Sequence, residues 1–205
     1  MELTSPFSGE GQMVHRGKRE LILKAAEALF TARRFDQVTL EDVCEKGRVG
    51  KGTIYRYFRD KEDLYAQVVL SGLDELHNSL EHRVSRSTVP DRELLAIAEA
   101  LRRSHCKRES LFRSLHSMWL RQSVGRGTLR EELRARQRRI MSLVSSVISA
   151  GVERGQYRRD MAPPLAARMF LAMAREAIRR PDAEGSHPVR VKSVVALFLD
   201  GVRKR

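Results

Sequence analysis

The 205-residue chain carries 39 Lys and Arg against 26 Asp and Glu, a formal excess of 13 positive charges, with 41% apolar and 32% charged residues. That length suits one large domain or two smaller ones, each able to bury a core, and the composition excludes wholesale disorder. No apolar run approaches the ~20 residues of a bilayer-spanning helix. The two cysteines, Cys44 and Cys106, are too few for a disulfide framework and wrongly spaced for zinc. The expectation is a soluble, cytoplasmic protein without a membrane association.

Residues 1–16 contain Pro, Ser and Gly without an apolar segment of the signal-peptide kind, and read as a flexible arm. From Lys18 to Arg33, the residues Leu21, Ile22, Ala25, Ala26, Leu29 and Phe30 recur at helical spacing and make one apolar stripe. Thr39 then precedes Leu40-Glu41-Asp42, an N-cap hydroxyl followed by acids in a first turn, and a short helix runs to Lys46. Gly47-Arg48-Val49-Gly50 breaks it, and a second short helix starting near Gly50 carries Lys51, Thr53, Ile54, Tyr55 and Tyr57. Two short helices joined by a Gly-containing turn have the dimensions of a helix-turn-helix. Asp60 caps a longer helix reaching about Arg83, with Leu64, Val68, Leu73, Leu76 and Leu80 inward. A loop at Ser85 to Asp91 follows, then helices at 91–107, 109–122, 128–154, 163–180 and 188–204, separated by Gly and Pro. No segment alternates as a strand would, so the expected fold is all-α: a three-helix helix-turn-helix domain over 17–60 and a helical bundle over 61–205.

Charge is unevenly placed. Residues 1–80 are net −1 and residues 81–205 net +14, which excludes a polybasic tail as the source of any nucleic-acid affinity. The later excess reads as an Arg-rich solvated surface with room for an anionic or lipid-like ligand. Within the near-neutral first part, Arg48, Lys51, Arg56, Arg59 and Lys61 face only Asp60, a local patch suited to phosphate. A recognition helix must sort its residues between groove and core. Here Lys51, Gly52, Thr53, Tyr55 and Arg56 fall outward, while Val49, Ile54 and Phe58 fall inward. Gly52 permits close backbone approach, Thr53 can reach a base edge, and the tyrosines offer hydroxyls to phosphate.

Lys18 to Leu76 resembles the DNA-binding domain of TetR-family transcriptional regulators. The resemblance is carried by Ile22 to Phe30, by Phe35, by Thr39-Leu40-Glu41-Asp42-Val43, by Val49 to Phe58 and by Lys61-Glu62-Asp63-Leu64. It implies that Thr39 caps the first helix of the motif and touches phosphate, that Lys51, Gly52, Thr53 and Tyr55 face the groove, and that Tyr57 and Lys61 grip phosphates. The chain departs from the family in having Arg48 where Gly is usual and Gly50 where Ser or Thr is usual. Arg48 is then forced into an unfavourable backbone conformation unless Gly47 takes the tight turn, and it is itself a candidate DNA contact. A weaker similarity lies in Gly151 to Asp160, where the family closes a long helix before its dimerisation helices.

Beyond the motif, the resemblance implies a homodimer reading a pseudo-palindromic operator, a double-stranded DNA partner and release by a small-molecule effector. Two apolar stripes are candidates for the dimer interface: Leu165, Met169 and Met173 on one helix, and Val191, Val194, Val195, Phe198 and Val202 on the next. Either could instead complete the monomer core. Leu101, His105, Phe112, His116, Trp119, Met141 and Ser145 are candidate lining for an effector pocket between bundle helices. No catalytic constellation, metal set or cofactor motif is present. His105 and Cys106 are adjacent and diverge by about 100° on a helix, and Gly50-Lys51-Gly52-Thr53 lacks the spacing of a phosphate loop. The reading is a ligand-responsive repressor and not an enzyme. The alternatives are a DNA-binding protein of the same fold without a small-molecule ligand, or a helical-bundle enzyme or carrier with a vestigial first unit.

Overall fold

The computed structural model describes residues 8–84, 89–109, 111, 128–179 and 191–203. These residues form eight α-helices: α1 Ser8–Ala32, α2 Leu40–Gly47, α3 Lys51–Tyr57, α4 Lys61–Val84, α5 Pro90–Lys107, α6 Thr128–Glu153, α7 Pro163–Arg179 and α8 Val191–Val202, with a 3-10 turn at Phe35–Gln37. Among the described residues there is no strand, only an isolated bridge between Tyr157 and Arg203. The fold is all-α, as the periodicity implies. The helix expected at 109–122 lies almost wholly outside the described residues.

Helix α1 already begins at Ser8, inside the stretch read as an arm. Its glycines Gly9, Gly11 and Gly17 each lower helix propensity by about 1 kcal/mol relative to Ala. They weaken a helix without removing a hydrogen-bond donor, as an interior proline would.

The helices fall into two compact units. The first runs to Ser71 and also takes in Arg108–Gly125. The boundary expected between residues 60 and 61 therefore lies further on, within α4, because the start of that helix is part of the first core. Leu64, Tyr65 and Val68 are buried there with Ile22, Phe30, Val43, Ile54 and Phe58. The Tyr65 ring meets Phe30 and Phe35 edge-on, with centroids 5.0 Å away in both cases. Such aromatic pairs contribute about 0.5–1.5 kcal/mol each beyond their buried area. The Tyr65 hydroxyl donates to the carbonyl of Leu111. Arg108, only 5% exposed, donates through Nε to Glu27 Oε1 at 2.7 Å. A guanidinium so buried is tolerable only when paired, and this pair holds Arg108 against α1.

The second unit comprises the rest of α4, then α5 to α8. Its core is built from Leu80, Leu94, Ile97, Val144, Phe170 and Phe198, the last two edge-on at 5.2 Å. Asp74 on α4 accepts from Arg136 Nε at 3.0 Å and Arg139 at 3.3 Å on α6, so part of the arginine excess is structural. Helix α6 closes with a Schellman motif: Gln156 N–H donates to Gly151 O at 2.9 Å and Gly155 N–H to Val152 O at 3.0 Å, with Gly155 left-handed at φ 71°. The chain then turns back so that the buried Tyr157 ring covers Gly151. The Tyr157 hydroxyl donates to Asp91 at 2.6 Å, and burial followed by that carboxylate pushes its pKa up. The other Asp91 oxygen accepts from Arg203 at 2.7 Å, and Arg158 N–H donates to Val202 O at 2.8 Å. The start of α5 and the ends of α6 and α8 are thereby joined at one place.

Candidate nucleic-acid interface

The exposed groups of interest sit on α2, α3 and the turn between them. Helix α2 starts with a reciprocal capping box. Asp42 N–H donates to Thr39 Oγ1 at 3.1 Å, and Thr39 N–H donates to Asp42 Oδ2 at 2.8 Å. The hydrogen bonds from the Thr39 amide and hydroxyl region hold the Asp42 carboxyl below its usual range. Thr39 is thus the cap that the sequence implies.

Helix α2 ends in a second Schellman motif. Val49 N–H donates to Cys44 O at 3.0 Å and Arg48 N–H to Glu45 O at 3.2 Å. Its left-handed position falls on Arg48, with φ 51° and ψ 45°, while Gly47 stays in the helix. Arg48 rather than Gly47 therefore takes the tight turn. An L-residue in that conformation costs about 1–2 kcal/mol, which Gly would avoid. The Arg48 side chain is exposed and forms no ion pair among the described residues.

Gly50 is the N-cap of α3, with φ −73° and ψ 151°, and offers only its carbonyl, which accepts from Thr53 N–H at 2.8 Å. On α3 the sorting is as expected at most positions. Ile54 and the following Phe58 are buried, Lys51, Gly52, Tyr55 and Arg56 are exposed, and Thr53 and Tyr57 are half-buried. Val49, expected inward, is only half-buried because it lies in the turn. Tyr55 is 51% exposed, unusual for so large a ring, and the Arg56 guanidinium lies 5.7 Å from the Tyr57 ring centre. A Cβ added at Gly52 would meet nothing within 4 Å. The fold itself therefore gives no reason for glycine at that position.

The two lysines expected at DNA are both engaged. Lys51 pairs with Glu41 in the first turn of α2, an ion pair that lowers the Glu41 pKa and raises that of Lys51. Lys61 Nζ donates to Phe35 O at 3.0 Å and Val38 O at 2.9 Å, and lies 4.3 Å from the centre of the Phe35 ring. Sequence spacing could not reveal this arrangement, because its partners lie more than twenty residues away along the chain.

The remaining candidates lie in the second unit or outside the described residues. Leu101 and Met141 are half-buried against the second core, and His105 and Ser145 are half-buried as well. Phe112, His116 and Trp119 fall outside the described residues. Leu165 and Met169 are 46% and 47% exposed, while Met173 and Val194 are half-buried. Val191, Val195, Phe198 and Val202 are instead buried in the chain's own core, because the more apolar stripe of α8 completes the second unit. The opposite face of α8 presents Leu197, 66% exposed and outside both apolar stripes. Cys44 and Cys106 are free thiols, and the described residues contain no His, Cys, Asp and Glu group suited to a metal. No helix among the described residues is long and apolar enough to cross a membrane.

Comparison with known proteins matches residues 22–68 to the model of bacterial regulatory proteins of the tetR family. That span runs from α1 through α2 and α3 into α4. The chain is 28% identical over 188 residues to YhgD, an HTH-type transcriptional regulator of Bacillus subtilis, covering 89% of this chain and 93% of that one. It is 26% identical over 194 residues to the HTH-type transcriptional repressor KstR2 of Rhodococcus jostii, covering 91% of each. The structure of the transcriptional regulator FadR of Bacillus subtilis, solved in complex with stearoyl-CoA, superposes with a TM-score of 0.69 at 15% identity, covering 90% of this chain and 99% of that one. These relatives are regulators and not enzymes. Residues 22–68, with the motif on α2 and α3, thus match the bacterial regulatory proteins of the tetR family, and the chain is similar to HTH-type transcriptional regulators along most of its length.

Proposed function

We propose that the chain is a homodimeric repressor that reads a pseudo-palindromic operator with α3 and releases it when a small molecule binds the second unit. The observation that carries the DNA-reading part is Gly52. It is an exposed glycine inside a helix, where glycine is unfavourable and no neighbour requires it, so its use points to an approaching surface outside the chain. Lys51, Thr53 and Tyr55 flank it as groove-facing groups, with Thr39, Arg48 and Tyr57 placed for phosphate. One such helix reads too few bases to find a site in a genome, so two copies are needed. Leu165, Met169 and Leu197, exposed on adjacent helices of the second unit, are the surface we assign to that pairing.

The effector would contact Leu101, His105, Met141 and Ser145, and would act by favouring a conformer whose paired α3 helices no longer match successive major grooves. The net +14 of residues 81–205 suits an anionic amphiphile, and the stearoyl-CoA bound to FadR is a molecule of that class. Selection of genomic fragments by the purified protein tests the reading. It predicts recovery of a pseudo-palindrome, and random recovery from the fragment pool would sink it.

A further inference from the structure

The ammonium of Lys61 has three N–H donors, and the fold engages two of them on a half-buried side chain. Two donors meet the carbonyls of Phe35 and Val38, at 3.0 and 2.9 Å, and the charge lies 4.3 Å from the face of the Phe35 ring, a cation–π arrangement. Val38 is fully buried, so its carbonyl needs a protein partner, and Lys61 supplies one. The residue after Val38 is Thr39, the N-cap of α2. Lys61 is also the first residue of α4, where a cation opposes the helix dipole. Its presence there calls for a compensating interaction, and the carbonyl pair provides it.

We infer that Lys61 is a positioning residue for the nucleic-acid interface and not a phosphate ligand. By closing the turn Phe35–Val38 against the first residue of α4, it fixes where Thr39 and the start of α2 stand relative to α3. The inference rests on the DNA-binding reading given above. It differs from the expectation for this position because two of the three ammonium donors are already engaged by backbone carbonyls before any phosphate arrives.

Two measurements test it. Amine-selective labelling of the wild-type protein, resolved by mass spectrometry, is run without DNA and with a saturating mixed-sequence duplex. Slow labelling of Lys61 in both samples, with Lys51 labelled readily only without DNA, is the expected result. Ready labelling of Lys61 in the free protein, lost on adding DNA, would overturn the inference. In the second measurement, Lys61→Met keeps the stem and removes the ammonium, and its binding to the same duplex is titrated across salt at a temperature where circular dichroism shows it folded. Affinity should fall on the order of tenfold, as for a disturbed hydrogen bond to a charged group, with the salt slope unchanged. A slope shallower by about 0.9 would mark a lost phosphate contact and reject the inference. Unchanged affinity and slope would reject it too, leaving Lys61 with stability alone. Neither readout requires an operator, so failure to recover a specific site would count against the proposed function while leaving this inference to be decided separately.

Discussion

The ring of Tyr157 lies so close over Gly151 that a Cβ at residue 151 would stand 2.3 Å from two of its ring carbons. That ring is anchored through its hydroxyl to Asp91, so it cannot swing aside without losing a 2.6 Å hydrogen bond. Gly151→Ala should therefore destabilise the second unit by about 1–3 kcal/mol, the usual cost of overpacking, although Ala is the better helix former. Urea denaturation monitored by helical content measures it. An unchanged or raised midpoint would show that the ring relaxes freely.

Arg48 and Gly155 occupy the same position in two Schellman motifs, and only one of them is glycine. Arg48→Gly should stabilise the first unit by about 1 kcal/mol by relieving left-handed strain. If the arginine is held there for its charge, the same variant binds duplex DNA less tightly and with a shallower salt dependence. A gain in stability with undiminished DNA affinity would remove Arg48 from the interface.

Neighbouring residues on α8 should behave in opposite ways. Leu197→Glu changes a side chain that is 66% exposed, so it should leave folding within about 0.5 kcal/mol and convert dimers to monomers in light scattering. Phe198→Asp places a carboxylate in the second core, where Phe198 is 4% exposed, and should cost about 3 kcal/mol or more, lowering helical content rather than only molecular mass. A folded, dimeric Leu197→Glu protein would move the pairing surface off α8.

How far sequence sufficed varies with the distance over which a feature is encoded. The cap at Thr39, the break at Gly47 to Gly50 and the stripe of α1 are local patterns, read within one or two turns, and they stand where the periodicity places them except at Leu21, which is 54% exposed at the edge of the stripe. The strain at Arg48 was legible only as one of two outcomes, because Gly47 could have taken the left-handed position that falls on Arg48. What could not be read depends on partners remote in sequence. Arg108 finds Glu27 across 81 positions, and Lys61 finds Phe35 across 26, so neither a buried arginine nor an occupied lysine is visible in spacing. Helix α8 fails for another reason. Two stripes compete for one core, and periodicity alone cannot say that Phe198 turns in and Leu197 turns out.

The most direct test of α3 as the reading helix compares wild type with Gly52→Ala. Affinities are measured for a selected site and a scrambled duplex at two salt concentrations, together with the thermal midpoint. Because a Cβ at residue 52 meets nothing in the protein, the variant should be more stable by about 0.5–1 kcal/mol. Wild type should prefer its site by ~10³-fold or more, and the variant should lose most of that preference as its methyl blocks close approach to the groove. A stabilised Gly52→Ala protein with wild-type site preference would contradict the placement of α3 against the bases.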